Sequence, residues 1–321
     1  MNEITELLGL GKMLCEPERI CGGLLHRVDR IHCESGIYAL KTLNPQIMKR
    51  PDALGNMVRS EHIARALKDI VPVVHAIERE GKCVFFLKEN YYILYPWMEG
   101  KSIFSPYITK AHCAAIGDIL GKIHQADVQV DDHKKENVDE AHFDWACLPK
   151  EDWLAVLVAN QAKIEKLQWE VNKSIKLLSS QRVISHRDMD PKNVLWQKDK
   201  PLLIDWEAAG YINPYQELME TAYYWADNGA GELQEELFKA FMCGYVKHVS
   251  VRGVDWQAVF AACYAGQLGW LYYNIRRATG LETLDMAERE LGRKQVLITL
   301  DAIKAQDEKN KKAFQWIQNY L

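Results

Sequence analysis

The sequence predicts an α+β fold in two lobes. A small β-rich lobe spans residues 1–95, a connector covers 96–100, and a large, mostly helical lobe covers 101–321. Three observations carry this. The first hundred residues alternate short β-branched and aromatic runs with glycine-bearing turns. After Pro96 the apolar period becomes helical and stays so. One small strand pair interrupts the helices around Lys198-Asp199-Lys200.

Taken in order, residues 20–28, 30–33 and 37–43 have strand composition, and Glu34-Ser35-Gly36 suits the hairpin turn between the last two. Leu54, Met57, Val58, Ile63 and Leu67 recur at roughly helical spacing and predict a helix over 52–67. Residues 71–74, 84–87 and 91–95 return to strand composition. Thr109 can cap a helix running to His124, with Ile116, Leu120 and Ile123 as its apolar stripe. Residues 152–178 form another long helical stretch, 194–196 and 202–204 are short strands, and helices fill the chain from Glu217 onward.

Composition narrows the function. With 321 residues, 48% hydrophobic and 26% charged, the chain is an ordinary globular protein with room for a sizeable core. A net charge of -4 argues against a nucleic-acid coat, which needs a basic surplus. Eight cysteines without a CxxC pair read as reduced thiols, and the acidic first residues lack a signal peptide's pattern, so a cytoplasmic location is expected. The uncharged run 256–275 has the length of a membrane span. Gln257, Gln267, Asn274 and several tyrosines make it a buried helix instead, and no membrane partner is expected. The oligomeric state is left open.

The decisive segment is Val183-Ile-Ser-His-Arg-Asp-Met-Asp-Pro-Lys-Asn-Val-Leu-Trp196, followed by Leu202-Leu-Ile-Asp-Trp-Glu207. His186, Asp188 and Asn193 form HxDxxxxN, and Asp205 follows at the end of an apolar strand. Three fixed residues at about 5% each give roughly 0.04 chance matches in a chain of this length. Phosphoryl transfer needs a carboxylate near the attacking hydroxyl and hard oxygen ligands for Mg²⁺. Asp188 fits the first role, and Asn193 and Asp205 the second. His186 anchors the loop through its ring hydrogen bonds.

On these residues the chain resembles the small-molecule kinases related to aminoglycoside phosphotransferases and choline kinases, which share the protein-kinase-like fold. The resemblance implies ATP and Mg²⁺ as cofactors and a small-molecule hydroxyl as acceptor. It extends to Gly22-Gly23-Leu24-Leu25-His26-Arg27-Val28 as a shortened phosphate loop, with Gly22 and Gly23 against the phosphates, and to Ile37-Tyr-Ala-Leu-Lys41 as the strand with the ATP-binding lysine. Ser60-Glu61-His62-Ile63-Ala64 resembles the helix whose carboxylate pairs with that lysine, although Glu78, Glu80 and Glu89 are also available. Ile93-Leu-Tyr-Pro-Trp-Met-Glu-Gly100 looks like the connector on which adenine rests, through Tyr95, Trp97 and Met98.

The departures are informative. Asp205-Trp206-Glu207 replaces Asp-Phe-Gly, no Ala-Pro-Glu follows, and Lys192 stands four residues after Asp188 rather than two; these favour a small-molecule kinase, whereas Arg187 is protein-kinase-like. From Pro201 to Phe238 there is no Lys or Arg among eight acids, interleaved with tryptophans and tyrosines. That composition suits a cationic acceptor such as an aminoglycoside or amino alcohol, with Glu220 and Asp227 as the spare carboxylates. Trp270 belongs to a second aromatic set that could close the pocket; a solvated acidic helix face and a buried aromatic stripe are the plain alternatives. Three readings compete: a small-molecule kinase, a protein kinase, and a catalytically dead binding or coat protein. The intact set Lys41, Asp188, Asn193 and Asp205 weighs against the last.

Overall fold

A five-stranded antiparallel sheet organises the N-terminal residues: β1 (Glu18–Ile20), β2 (Arg27–Cys33), β3 (Gly36–Thr42), β4 (Val84–Leu87) and β5 (Asn90–Pro96), in the order β1-β2-β3-β5-β4. The computed structural model describes residues 2–20, 25–126, 128–130, 145, 148 and 152–320. Expected strands at 20–28 and 30–33 become β1 and one continuous β2; Cys21, Gly22, Gly23 and Leu24 lie outside the described residues. The alternation of strand side chains fixes the two faces. Leu40 and Leu94 are paired across β3 and β5 and pack with Ile31 against Ile4, Leu8 and Leu10, which follow from an N-terminal helix, Asn2–Leu7. Lys41, one residue on from Leu40, therefore points to the opposite face, opposite Val28 on one side and Ile93 on the other. The helix Ala53–Leu67 begins and ends where its apolar spacing predicts. Residues 71–74 form no strand of the sheet; Val73 makes a single parallel bridge to Leu203.

The chain divides into two compact units. The first combines Met1–Phe104 with Ala126–Val130 and Ile184–Gly210; the second combines Ser105–Gln125, Asp131–Val183 and Tyr211–Leu321. The sequence boundaries put residues 184–210 with the helices, whereas the contacts group them with the sheet. The cause is backbone pairing. Val74 N–H donates to the Leu203 carbonyl, Leu203 N–H to Pro72, and Lys101 and Trp196 exchange two hydrogen bonds. The expected small strand pair is present as Val194–Gln197 with Lys200–Leu203.

The second unit is helical. Thr109 Oγ1 accepts from His112 N–H at 3.3 Å at the start of the helix Lys110–Gln125. The stretch 152–178 is interrupted at Asn160, and the run 256–275 is two helices, Trp256–Ala262 and Ala265–Ala278. Among the described residues no helix is long and apolar enough to cross a membrane. Buried His124 sits between the Tyr245 hydroxyl and the Glu217 carboxylate, each at 2.9 Å, so Glu217 ties its helix to two neighbours.

Helix Lys110–Gln125 meets helix Glu235–Tyr245 backbone to backbone. A Cβ on Gly117 would lie 2.0 Å from the Phe241 carbonyl oxygen, and one on Gly244 would lie 2.2 Å from that of Ala114. Alanine gains about 1 kcal/mol of helix propensity over glycine, but here it must push two backbones apart, an overpacking cost of about 1–3 kcal/mol. Gly244→Ala is therefore expected to lower the melting temperature, measured by calorimetry. An unchanged or higher value would contradict the close approach.

Candidate active site

Residues of the first unit converge from four places in the sequence. Lys41 Nζ on β3 donates to Asp205 Oδ1 at 2.7 Å and to Glu207 Oε2 at 2.6 Å, across more than 160 residues of chain. The lysine side chain is nearly buried. Burial opposes its charge, but the two carboxylates outweigh that and hold its pKa above the ordinary lysine value. Asp205 is pulled below the usual carboxylate range by Lys41 against the opposing effect of burial. Glu207 moves the other way, because burial and repulsion from Asp205 exceed the pull of Lys41.

His26 completes this cluster. Its Nδ1 accepts from Asn44 N–H at 2.9 Å, so the ring proton of the neutral form is on Nε2, which faces Glu207 Oε2 at 3.3 Å. Burial, reinforced by the Lys41 charge, lowers the His26 pKa to about 4, and the ring is neutral at neutral pH. Its role had no sequence signal beyond its place at the end of the glycine segment. Glu207 does carry one, an acid two residues past Asp205 that is both a departure from Asp-Phe-Gly and one of the eight acids of 201–238.

The expected Lys41–Glu61 ion pair is replaced by another arrangement. Glu61 is buried on helix Ala53–Leu67, accepting from Tyr95 Oη at 2.5 Å and from Ala76 N–H at 2.7 Å. Burial raises its pKa despite these bonds and the nearby Lys41 charge. The physical reason is competition: Asp205 and Glu207 together offer the ammonium more negative charge than Glu61, whose oxygens already have donors. Tyr95 thus uses its hydroxyl on Glu61. Trp97 donates from Nε1 to Glu99 at 2.9 Å, with the Arg30 guanidinium 4.6 Å above its ring. Met98 is half-buried beside it. The connector is stitched to the strand pair by Gln197 Nε2 donating to the Glu99 carbonyl at 2.6 Å.

The loop after Ser185 has a defined scaffold. His186 is fully buried; its Nε2–H donates to the Ile204 carbonyl at 3.0 Å while Nδ1 accepts from Asp188 N–H at 3.3 Å. Arg187 and Asp205 both adopt positive φ, 65° and 60°, which costs non-glycine residues energy and places the flanking side chains. Asp190 caps the short turn Pro191–Asn193 by accepting from Lys192 N–H at 2.8 Å. Asn193 Nδ2 donates to both the carbonyl and Oδ2 of Asp188, at 2.8 and 2.9 Å, and Lys192 Nζ lies 3.3 Å from the same Oδ2. Ile204 N–H donates to the Asn193 carbonyl, which brings Asn193 alongside Asp205.

This donor set fits a hard divalent cation. With its NH₂ committed to Asp188, the Asn193 amide turns its oxygen away from that carboxylate, and Asp205 offers a second oxygen. Two carboxylates against one lysine leave Asp205, Glu207 and Lys41 with an excess negative charge, which such an ion offsets. Among the described residues no three His, Cys, Asp or Glu side chains form a metal cage. Mg²⁺ in nucleotide sites is held by one or two carboxylates together with substrate phosphates.

The acceptor candidates belong to the second unit. Glu220 accepts from Gln216 Nε2 at 3.0 Å and is half-buried. Asp227 Oδ2 bonds Lys309 at 2.8 Å, and its Oδ1 accepts from the Gly229 and Gly231 amides. The acidic stretch that lacks a base in sequence thus finds Lys309 from the helix Met286–Ile317, and Asp227 has a loop-closing occupation. Trp270 stacks on Tyr273, ring centroids 5.4 Å apart, and its Nε1 faces Gln295.

A β-rich unit whose lysine meets an aspartate beyond a strand pair, with a helical unit alongside it in the chain, defines a kinase-like fold. The description "phosphotransferase enzyme family" (APH) matches residues 18–249, most of the chain, and the protein belongs to that family. Membership in a family of phosphotransferase enzymes supports the small-molecule-kinase reading over the protein-kinase and coat-protein readings. Solved structures with the same fold include the spectinomycin phosphotransferase APH(9)-Ia in complex with ADP and spectinomycin (TM-score 0.69, 18% identity, 96% of this chain and 97% of that one). Others are an ethanolamine kinase from Plasmodium vivax (TM-score 0.61, 14% identity, 94% and 83%) and a microcompartment-associated aminopropanol kinase (TM-score 0.59, 13% identity, 96% and 98%). No curated protein sequence matches the chain.

Proposed function

We propose that the protein transfers the γ-phosphoryl group of ATP, with Mg²⁺, to a hydroxyl of a small amine-bearing alcohol. The observation that carries this is the meeting of Lys41 with Asp205, beside a loop that presents Asp188 and Asn193. Residues 1–95 supply the nucleotide-binding lobe, 96–100 the hinge, and 101–321 the acceptor-binding lobe. Lys41 leaves its carboxylates for the nucleotide phosphates, with Glu61 and Tyr95 bracing the sheet face behind it. Trp97 and Met98 flank the adenine. Asp205 and Asn193 hold Mg²⁺, which neutralises charge on the phosphates when bound. Asp188 orients the acceptor hydroxyl and takes its proton. Its Oδ2 is engaged by Asn193 and Lys192, which leaves Oδ1 for that task.

The amine preference is supported by the half-buried Glu220 carboxylate, which accepts from the neutral Gln216 amide, and by the named acceptors of two structural neighbours, ethanolamine and aminopropanol. Glu220 and Trp270 are its proposed contacts. The six described cysteines are free thiols, which fits the cytoplasm. ADP release measured across amino alcohols, aminoglycosides and neutral sugars tests the reading. Amine-bearing acceptors are expected to turn over with a kcat/KM that falls as salt rises. Glu220→Gln is expected to raise their KM roughly tenfold, the equivalent of one charged hydrogen bond of about 1.5 kcal/mol. Turnover of neutral sugars alone, without salt dependence, would overturn the amine preference.

A further inference from the structure

Lys192 is half-exposed, and its backbone is hydrogen-bonded on both sides. Its N–H is held by Asp190 Oδ1 at 2.8 Å, and its carbonyl accepts from Ser102 Oγ at 3.2 Å. Only its side-chain torsions are free to move, so the reach of the ammonium is set by the loop. Nζ lies 3.3 Å from Asp188 Oδ2. Burial would weaken its charge, but Asp188, Asp190 and Asp205 all act to keep it protonated. Stability is a poor reason for this pair, because Lys192 and Asp188 are 49% and 33% exposed, and exposed ion pairs contribute about 0–1 kcal/mol. Charge distribution offers a better one. Lys41 is already shared between two carboxylates on the side of Asp205. A cation beside Asp188 is placed where negative charge from the transferred group arrives.

We propose that Lys192 is a catalytic residue whose ammonium binds an oxygen of the γ-phosphoryl group during transfer, while its contact with Oδ2 keeps Oδ1 of Asp188 turned to the acceptor. The proposal rests on the reading of Asp188 given above. In the step itself, the acceptor oxygen bonds to the γ-phosphorus as the bond from that phosphorus to the β–γ bridging oxygen breaks. The bridging oxygen keeps the electron pair and departs with ADP. The acceptor's proton goes to Asp188, and Lys192 neither gains nor loses one.

The test compares the wild type with Lys192→Met and Lys192→Arg, using calorimetry with MgATP and MgADP and steady-state ADP release with an accepted alcohol. Lys192→Met is expected to reduce the ratio of ATP to ADP affinity about tenfold, since ADP lacks the γ-phosphoryl group. Its kcat is expected to fall roughly 10²-fold, in the range found for loss of one charge-stabilising donor, with acceptor KM little changed. Lys192→Arg should recover most of the affinity ratio. An unchanged ratio in Lys192→Met, whatever the loss of rate, would mean that Lys192 serves Asp188 alone and would overturn the proposal. Turnover by Lys192→Met equal to wild type would overturn it while leaving the kinase reading intact. A wild type that neither binds MgATP nor releases ADP would overturn both.

Discussion

Asp188→Asn is expected to lower kcat by roughly 10²-fold or more, the range typical of a lost general base, while leaving MgATP affinity within a few-fold of wild type. The substitution is nearly isosteric. The new amide oxygen can still accept from Asn193 Nδ2 and stay near Lys192, so the loop keeps the geometry in which both donors face Oδ2. What changes is the other atom, a carboxylate oxygen that can take a proton replaced by an NH₂ that cannot. Because Asp188 is bonded to its own loop and Lys41 is held elsewhere, MgATP affinity is expected to be nearly independent of it. Steady-state ADP release and MgATP calorimetry separate the two effects. Wild-type turnover in the variant would remove Asp188 from the mechanism, and a matched loss of MgATP affinity would reassign it to nucleotide binding.

The part of this site that could be read from the sequence is the part encoded locally. HxDxxxxN is legible because one tight loop must carry a buried anchoring histidine, a carboxylate and an amide at fixed offsets, and the structure shows Asn193 bonded within that loop and His186 bonded both to it and to the Ile204 carbonyl beyond it. Lys41 was singled out by the resemblance of Ile37-Tyr-Ala-Leu-Lys41 to a lysine-bearing strand, and the observed register gives it the face opposite Leu40. Its partner was not legible. A lysine has no sequence preference among Glu61, Asp205 and Glu207; the choice is made by tertiary packing, which hands the Glu61 oxygens to Tyr95 and Ala76. Asp227 makes the same point from the other direction. The stretch around it contains no base, yet Lys309 reaches it from 82 residues away, so a local charge count misjudged what is spare.

Helix boundaries divide along similar lines. The periodic, apolar helix Ala53–Leu67 was readable, whereas the break at Asn160 and the division of 256–275 at Cys263 and Tyr264 were not, because an apolar stripe fixes a face and not the point at which the backbone turns. The backbone contact at Gly117 and Gly244 was also silent, since a helical glycine reads as a propensity cost until its neighbour is known.

Asp205→Asn should abolish most of the gain in nucleotide affinity that Mg²⁺ confers. Asparagine is the informative replacement, because Asp205 sits at φ 60°, a conformation that asparagine tolerates and alanine does not without strain. The change removes a charged oxygen ligand while preserving shape, and Lys41 keeps Glu207 at 2.6 Å, so the buried ammonium is not abandoned. That matters for interpretation, since leaving a buried ion with no partner would cost about 3–5 kcal/mol and confound binding with unfolding. In the wild type, MgATP at about a hundred times its Kd should stabilise the fold by about 2.7 kcal/mol, with metal-free ATP doing less. In Asp205→Asn the two thermal shifts should converge on the smaller one, with kcat reduced roughly 10²-fold or more. If the variant retains the full difference between MgATP and ATP, the metal is held elsewhere. If the wild type shows no such difference, Asp205 and Asn193 are not its ligands, and the Asp205–Lys41 pair has a purely structural role.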